Sequence, residues 1–172
     1  MDKDYFYRYQ NLIFVFPEQL PTTEKLQKKV CVFRNKEDAK NLQKIQSTCD
    51  ATGVLSSNPE TIAFWINKKI DYIINPFDFR GKGFDKNTFS ILIQNKIYPI
   101  IILEKIILQN SEQQLQLFKH LFSFNKLCQK YKLPLIILCE DPRVCIALYY
   151  ILGYNETQAQ SFLKQIFDEM NL

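Results

Sequence analysis

Histidine occurs once in this chain of 172 residues, at His120, and glycine occurs only four times. A single histidine excludes a metal centre built from several imidazole ligands. Gly81 and Gly83 make a G-x-G pair, but the third glycine of a dinucleotide-binding loop is missing. The chain also lacks a P-loop and a G-x-S-x-G elbow. These absences argue against the most common metal-dependent and nucleotide-dependent enzymes.

The five cysteines are not arranged for disulfides or for zinc. Their number is odd, and no two of them form a C-x-x-C pair. Cys139 ends an apolar run and Cys145 falls on a predicted helix, which are positions typical of small apolar filler. We therefore expect free thiols in a reducing compartment.

Long apolar runs are missing as well. Apolar runs such as Ile97–Leu103 and Leu133–Cys139 are too short to cross a bilayer. The first residues contain no basic stretch followed by an apolar one, so the sequence predicts no secretory signal. We expect a soluble protein of the cytoplasm, or of the nucleus if the source is eukaryotic, with no membrane partner.

Arginine is scarce among the basic side chains. The chain has 22 basic and 18 acidic residues, a net charge of +4, which permits RNA binding without requiring it. Only Arg8, Arg34, Arg80 and Arg143 are arginines. The abundance of Lys, Asn and Ile is typical of an AT-rich genome, and we expect an archaeal source. Because arginine offers a planar fork that lysine cannot copy, each arginine is informative.

Short apolar runs alternate with amphipathic helical patterns along the chain. The runs lack polar alternation, which is typical of parallel strands covered on both faces. They cover Leu12–Phe16, Val30–Phe33, Gly53–Ser56, Tyr72–Asn75, Pro99–Leu103 and Leu135–Cys139. The pattern predicts an α/β fold with a parallel sheet, in a single domain of residues 1–172. An open doubly wound sheet and a closed (β/α) barrel both fit, although a full barrel usually needs ~200 residues or more.

Capping residues mark the starts of several helices. Asn35 is placed to cap a helix through Ser47, and Asn58 and Asp141 each precede a proline at the first helical position. Further starts are predicted by two capping boxes, Ser111 with Gln114 and Asn155 with Gln158.

Two of these helices carry residues of interest. His120 falls inside the predicted helix Ser111–Tyr131, where a surface or half-buried position is the simplest interpretation. Gly153 is placed to end the helix that is predicted to begin after Asp141. The last predicted helix shows one apolar stripe, formed by Ala159, Phe162, Leu163, Ile166, Phe167 and Met170.

A polar loop, Asn75–Asp85, follows the Tyr72–Asn75 run and combines two cations, two carboxylates and three phenylalanines. In a parallel α/β fold this loop lies at the carboxyl edge of the sheet, where functional residues collect. An arginine between aromatics and glycines suits contact with phosphates or bases. A linker with solvated charges is the structural alternative.

Cations also follow the next two apolar runs. Glu104 and Lys105 come directly after Pro99–Leu103, and Arg143 comes just after Leu135–Cys139. Arg80, Lys105 and Arg143 would therefore line one edge of the sheet. Such a ring of positive charge suits RNA or phosphate binding, although each residue alone could be an ordinary surface charge.

Several of these segments together resemble the thirty-kilodalton protein subunit family of ribonuclease P. Lys69–Pro76 is similar to the family's "G-V-D-x-I-x-x-P" strand. Arg80 and the segment Gly83–Asp85 are similar to "R-K-D-x-G-I-D". Lys105 stands where the family usually has an arginine, before an apolar triplet.

The likeness continues toward the carboxyl end. Cys128–Tyr131 and the Leu135–Cys139 run resemble the family's "x-x-K-Y" and its following strand. Asp141–Arg143 and Leu152–Ala159 resemble its "Y-P-R-D…G-x-x-x-x-x-A" ending. The resemblance covers Gly53–Ala159, with a weaker likeness around the Phe14–Pro17 segment and Thr23–Leu26.

The resemblance implies a TIM-like (β/α) barrel, here trimmed, related to the polymerase-and-histidinol-phosphatase barrel but without its metal ligands. It implies a non-catalytic subunit of ribonuclease P, an endonuclease of tRNA processing. Its partners would be the ribonuclease P RNA, a small ferredoxin-like protein subunit and other ribonuclease P proteins. The RNA with its magnesium ions would cleave the 5′ leader of precursor tRNA, and this chain would bind no cofactor.

The candidate site follows from these expectations. Arg80, Lys82, Lys105 and Arg143 are predicted to contact RNA or the partner protein, with Asp85 orienting Arg80. Two other hypotheses stay open: a metal-dependent phosphoesterase of the related barrel family, and a barrel that only binds proteins.

Overall fold

The computed structural model describes residues 7–9, 12–15 and 28–161 of the chain. These ranges contain seven strands: β1 (Tyr7–Tyr9), β2 (Leu12–Val15), β3 (Lys28–Phe33), β4 (Ala51–Leu55), β5 (Tyr72–Ile74), β6 (Tyr98–Ile102) and β7 (Ile136–Leu138). The same ranges contain the helices α1 (Leu42–Gln46), α2 (Pro59–Ile66), α3 (Lys86–Asn95), α4 (Glu104–Ile107), α5 (Ser111–Tyr131) and α6 (Pro142–Ile151). A 3-10 helix, Lys36–Asn41, precedes α1, and residues 156–161 are helical.

All seven strands belong to one sheet, in which their spatial order equals their order along the chain. The β1–β2 pair is antiparallel, and every pair from β2–β3 to β6–β7 is parallel. A doubly wound sheet reverses its strand order at a switch point. Because the described order contains no reversal, the structure excludes the open doubly wound alternative for these strands.

The two faces of the sheet are covered in different ways. One face packs against α1, α2, α3, α4, α5 and α6 through a large apolar cluster that includes Trp65, Phe89, Phe124 and Tyr149. The other face forms a second cluster whose described members all come from strands: Val30, Val32, Ala51, Tyr72, Ile74, Ile100, Ile102, Ile136 and Leu138. Burial of these side chains, on a face where no described helix contributes to the cluster, is consistent with a barrel-like α/β fold.

Gly53 shows how tightly the strand-only face is packed. A Cβ at this position would lie 3.1 Å from the Ile74 Cδ1 atom and 3.4 Å from the Tyr72 Cβ atom. The missing side chain therefore makes room for large residues of the neighbouring strand β5. Interior positions of small barrels are filled in this way, by small residues beside large ones.

Local sequence signals predicted most element boundaries. Each strand predicted from an apolar run is present and parallel, with small shifts of its ends. Asn58 and Asp141 cap α2 and α6 ahead of a proline, and Asn35 caps the 3-10 helix that leads into α1. Gly153 adopts a φ of +89° just after α6, as predicted.

The capping box predicted at Ser111 with Gln114 is wrong by one residue. The N-cap of α5 is Asn110, whose side chain accepts a hydrogen bond from the Gln113 backbone N–H at 3.0 Å. The Gln114 side chain instead donates to the carbonyls of Ile107 and Gln109. The second predicted box is confirmed, because Asn155 and Gln158 each accept from the backbone N–H of the other.

Other predictions have mixed outcomes. Strand β1 and the short helix α4 were not predicted, because three and four residues are too few for a periodic signal. The cysteines are free thiols, and those at 31, 128, 139 and 145 are buried as filler. The predicted stripe beyond Ala159 and the segments Phe16–Pro17 and Thr23–Leu26 lie outside the described residues. Of the helices described, none is long and apolar enough to cross a bilayer.

Candidate functional site

The loops that follow β5, β6 and β7 all leave the sheet at its carboxyl edge, because these strands are parallel neighbours. The segment Asn75–Asp85, named here the β5 loop, carries Arg80 and Lys82. Lys105 lies in α4 directly after β6, and Arg143 lies at the start of α6 after β7. Ligands of parallel α/β sheets bind at this edge.

Asn75 fixes the start of the β5 loop to the neighbouring strand. Its φ is +42°, a left-handed conformation that asparagine tolerates better than most residues. Its side chain accepts from the Ile102 backbone N–H at 2.8 Å and donates to the Ile102 carbonyl at 3.4 Å. The ends of β5 and β6 are thereby tied together beneath the loop.

Asp78 organises the middle of the β5 loop. Its Oδ1 atom accepts from the backbone N–H groups of Arg80 and Gly81, both at 2.8 Å, and its Oδ2 atom accepts from the Ser57 hydroxyl at 2.7 Å. Burial alone would raise the pKa of this carboxyl, but the hydrogen bonds from Ser57, Gly81 and Arg80 lower it overall. Asp78 therefore stays ionised and holds the backbone on which Arg80 stands.

His120 of α5 supports the same loop from behind. Its Nδ1 atom lies 3.0 Å from the Asp78 carbonyl oxygen, and its Nε2 atom lies 3.0 Å from the Gln116 Nε2 atom. Because a carbonyl can only accept, Nδ1 carries the proton and Nε2 accepts from Gln116. The half-buried histidine is thus a structural anchor, in line with the position predicted from the sequence.

Gly83 is the tightest point of the β5 loop. A Cβ there would lie 2.5 Å from the Ile62 Cδ1 atom and 2.7 Å from the Ser57 carbonyl oxygen. Its backbone N–H donates to the Pro76 carbonyl at 2.7 Å. Glycine is required here for close packing, whereas Gly81 faces open space.

Two exposed cations stand over aromatic rings in this loop. The Arg80 guanidinium lies 5.2 Å from the centroid of the Phe79 ring, and the Lys82 ammonium lies 5.6 Å from that of Phe84. Phe84 is itself anchored in the core, 4.7 Å from the Phe124 ring. Lys82 therefore stands over a buried ring, whereas the Phe79 ring beside Arg80 is itself exposed.

Asp85 does not orient Arg80, contrary to the sequence-based expectation. It is the N-cap of α3, and its Oδ1 atom accepts from the Thr88 backbone N–H at 2.8 Å and from the Thr88 hydroxyl at 2.9 Å. These hydrogen bonds lower the pKa of the Asp85 carboxyl. The carboxylate that binds the Arg80 backbone is Asp78, which was not among the candidate residues predicted from the sequence. An aspartate placed shortly before an Arg-Gly pair is the signal of such a turn.

Arg143 is less available than its position suggested. Its Nε and Nη2 atoms donate to the two carboxylate oxygens of Asp141, at 3.1 and 2.9 Å. This pair lowers the pKa of Asp141 and raises that of Arg143. The guanidinium is 90% exposed but carries its counter-charge with it.

Lys105 lies beside the β5 loop in a shared cavity of about 440 Å³. This cavity, named here the edge cavity, opens at the carboxyl edge between the β5 loop, α4 and the turn after β4. It is lined by Leu55, Ser56, Ser57, Asn75, Phe77, Asp78, Phe79, Lys105, Ile106, Gln109 and Leu117. The structure therefore brings Lys105 together with the Arg80 loop.

The loop after β7 adjoins this assembly through a backbone contact. The Glu140 N–H donates to the Glu104 Oε1 atom at 2.6 Å, which links α4 to the segment that leads to Arg143. Within the described ranges, no group of three or more His, Cys, Asp and Glu side chains is placed to hold a metal ion. The described part of the edge thus carries cations and aromatic rings together with carboxylates that are engaged by backbone N–H groups or by Arg143.

Neither a protein-family model nor a curated protein sequence matches this chain. Among solved structures, a similar chain occurs in the cryo-electron-microscopy structure of archaeal ribonuclease P with mature tRNA. The TM-score is 0.74 at 10% sequence identity, and the match covers 94% of this chain and 82% of that chain. The two chains share a fold. This likeness agrees with the barrel-like α/β architecture described above.

Proposed function

We propose that this chain is a non-catalytic protein subunit of ribonuclease P of the thirty-kilodalton family. The observation that carries the proposal is the common fold, over 94% of this chain, with a chain in the structure of archaeal ribonuclease P with mature tRNA. The ordered motifs in the sequence support the same family independently. The exposed cations Arg80 and Lys82, each over an aromatic ring at the carboxyl edge, supply a surface that suits RNA.

The finer architecture belongs to this proposal. The whole chain, residues 1–172, would form one trimmed (β/α) barrel related to the polymerase-and-histidinol-phosphatase barrel. Three features of the described part support a barrel: the sequential strand order, helices on one face, and a strand-only cluster on the other.

The proposed subunit binds the ribonuclease P RNA together with a small ferredoxin-like protein and other ribonuclease P proteins. Magnesium ions bound with the RNA would perform the cleavage of the 5′ leader, and this chain would supply no cofactor. We place it in the cytoplasm, or in the nucleus of a eukaryote. Its contribution is to neutralise phosphates and to hold the RNA in shape.

The structure suggests an order among the candidate contacts. Arg80 and Lys82 are exposed and stand over aromatic rings, and neither forms a salt bridge with another residue of the described ranges. Lys105 lines the edge cavity. Arg143 must share its guanidinium with Asp141, which reduces the net charge that it presents to RNA. We expect Arg80 to matter more than Arg143.

A reconstituted cleavage assay tests this proposal. The variant Arg80→Ala with Arg143→Ala should activate the RNA less than the native chain does at low magnesium concentration. In a salt series, the slope of log K for RNA binding against log[salt] should become less steep by about one unit for each phosphate contact removed. Arg80→Ala alone should account for most of the change.

The matched control removes the same charge from the opposite edge. Lys44 and Lys130 lie in the last turns of α1 and α5, which lead into the amino ends of β4 and β7. Lys44→Ala with Lys130→Ala should leave activation and salt slope unchanged. Equal losses in both double variants would show a general charge effect and contradict a specific edge.

Two further measurements separate the other hypotheses. Stoichiometric zinc or manganese in the purified chain, with cleavage of phosphate esters in the absence of RNA, would favour a phosphoesterase. Binding of the partner protein without any salt-dependent RNA binding would favour a barrel that binds only proteins.

A further inference from the structure

The edge cavity has the size and the composition of a binding site for a small ligand. Its volume of about 440 Å³ lies within the range of ~300–1,000 Å³ that is typical of such sites. Its walls come from three separate parts of the chain: the turn after β4, the β5 loop and α4 with the start of α5. Asn75 and Asp78 hold two of these walls in place by hydrogen bonds across the edge.

An aromatic ring stands at the side of this cavity. Phe79 lines it and remains 40% exposed, although most large apolar residues of the chain are buried. The Arg80 guanidinium lies 5.2 Å from the centroid of that ring. An exposed ring beside a guanidinium is the combination on which unpaired bases stack in proteins that bind single-stranded nucleic acids.

The remaining lining can form hydrogen bonds with the edge of a base. The Ser56 hydroxyl accepts from the Asn58 backbone N–H at 3.1 Å, and a hydroxyl that accepts can donate as well. The Gln109 amide donates to the Lys105 carbonyl at 3.3 Å, and its amide oxygen can accept. Bases present both donors and acceptors on their free edges.

The charges around the cavity favour a ligand that carries a phosphate. Lys105 belongs to the lining, and Arg80 and Lys82 follow Phe79 along the loop. The one carboxylate of the lining, Asp78, already accepts three hydrogen bonds from Ser57, Arg80 and Gly81. Its negative charge is therefore stabilised within the loop and opposes an approaching phosphate less.

We propose that the edge cavity receives one unstacked nucleotide of a bound RNA, with the base against Phe79 and the phosphate beside Lys105 and Arg80. This inference rests on the RNA-binding function proposed above and specifies it. A contact of this kind reads an unpaired position in a folded RNA, whereas the exposed cations alone would recognise only the backbone. Recognition of a flipped-out base would place the protein at a defined site on its RNA.

The test uses the full-length chain and a short single-stranded RNA that carries one 2-aminopurine. Stacking on Phe79 should quench the fluorescence of that base when the protein is added. Phe79→Leu, which keeps an apolar side chain but removes the ring, should weaken RNA binding by roughly 5- to 150-fold. The salt slope should stay the same, because the ring carries no charge.

Two variants control for indirect effects. Phe122 of α5 is also an exposed phenylalanine, at 38%, and lies outside the cavity lining, so Phe122→Leu should bind as the native chain does. Phe79→Trp restores a larger ring and should retain both the affinity and the quenching. Thermal unfolding of each variant verifies that the fold is intact.

The results separate this inference from the proposed function. If native protein binds RNA with a steep salt slope but without quenching, and Phe79→Leu behaves like Phe122→Leu, then the cavity inference is overturned and RNA binding stands. If the chain binds no RNA but binds adenosine monophosphate in a Phe79-dependent manner, then the cavity is a site for free nucleotides, and both the RNA proposals are overturned. The cavity inference is also overturned if ribose 5-phosphate binds as well as adenosine monophosphate, because the base would then contribute nothing. It is likewise overturned if the chain binds neither RNA nor either of these two small ligands.

Discussion

At the scale of single residues, the candidate site is held by polar groups that face inward, toward the loop itself. Asp78 binds two backbone N–H groups of its own loop and the Ser57 hydroxyl of the neighbouring turn. His120 binds the carbonyl of Asp78 from α5. With these groups engaged in positioning, the cations Arg80 and Lys82 are left on the outside of the loop. A carboxylate and a histidine at a strand edge would otherwise suggest acid–base catalysis, and here their contacts identify them as supports.

The two glycines of the β5 loop give a direct test of how tightly it is packed. Gly83→Ala places a methyl group against Ile62 and the Ser57 carbonyl, so the backbone must shift. We expect this overpacking to lower the free energy of unfolding by about 1–3 kcal/mol. Urea denaturation measures the change.

Gly81→Ala is the matched control, because a Cβ there meets no atom within 4 Å. It should leave the free energy of unfolding almost unchanged. A loss of the same size in both variants would mean that the loop needs glycine for its backbone conformation at both positions, and that packing at Gly83 is not the cause.

At the scale of elements, the carboxyl edge is shaped by where helices begin. Asp85, Asn110 and Asp141 are N-caps that start α3, α5 and α6 at or near this edge. In α6 the capping carboxylate of Asp141 also accepts a hydrogen bond from the Arg143 guanidinium. Tyr149 then docks the same helix, because its buried hydroxyl accepts from the Ile137 N–H and donates to the Leu135 carbonyl, both at 2.8 Å. Two acidic residues of the edge, Asp85 and Asp141, therefore serve as helix caps.

The capping role of Asp85 predicts both a stability loss and a pH dependence. Asp85→Ala should lower the free energy of unfolding by about 0.5–2 kcal/mol, because the Thr88 N–H loses its acceptor. Asp85→Asn should lose less, since asparagine also caps helices. The two variants are compared with the native chain in urea at neutral pH.

The pH dependence follows from the lowered pKa of the Asp85 carboxyl in the folded chain. Its stabilising contribution is fully present above the unfolded pKa of about 3.9 and is lost as the pH falls through the lower, folded value. The stability difference between native chain and Asp85→Ala should therefore shrink in acid. A difference that is constant from neutral pH down to about pH 2 would contradict the role of the ionised carboxylate.

At the scale of the whole molecule, one apolar cluster connects almost the entire described chain. It runs from Cys31 in β3 to Ala159 in the last helical segment and includes every α-helix between them. The strand-only cluster lies on the other side of the same sheet. A core that is shared in this way ties the loops of the carboxyl edge to a common frame.

This shared core predicts a single cooperative unfolding transition. Trp65 is the sole tryptophan, fully buried and stacked on Phe33 at a centroid distance of 4.1 Å, so its fluorescence reports on β3 and α2. Hydrogen exchange of the Ile137 amide, which is bonded to Tyr149, reports on β7 and α6. Both probes should give the same free energy of unfolding. Clearly different values would mean that the two ends of the sheet unfold as separate units.

The match between sequence and structure is best where the signal is local. Asn58 before Pro59 and Asp141 before Pro142 predict helix starts because a cap satisfies N–H groups two or three residues away. The box at Ser111 failed because Asn110, one residue earlier, competes for the same role. Asp85 was predicted to orient Arg80 because the two residues are close in the sequence. In the structure its side chain instead accepts a hydrogen bond from the Thr88 backbone N–H.

The sequence by itself determined the alternation of strands and helices and the cations beyond strand ends, because these depend on neighbours along the chain. It also indicated parallel strands, because their apolar runs lack polar alternation. Only the tertiary structure decided that the strands lie in sequential order, that Asp78 rather than Asp85 binds the backbone of Arg80, and that Phe79 and Lys105 line one cavity. Those features join residues far apart in the chain. Their contacts depend on strand order and on side-chain packing, which no local pattern contains.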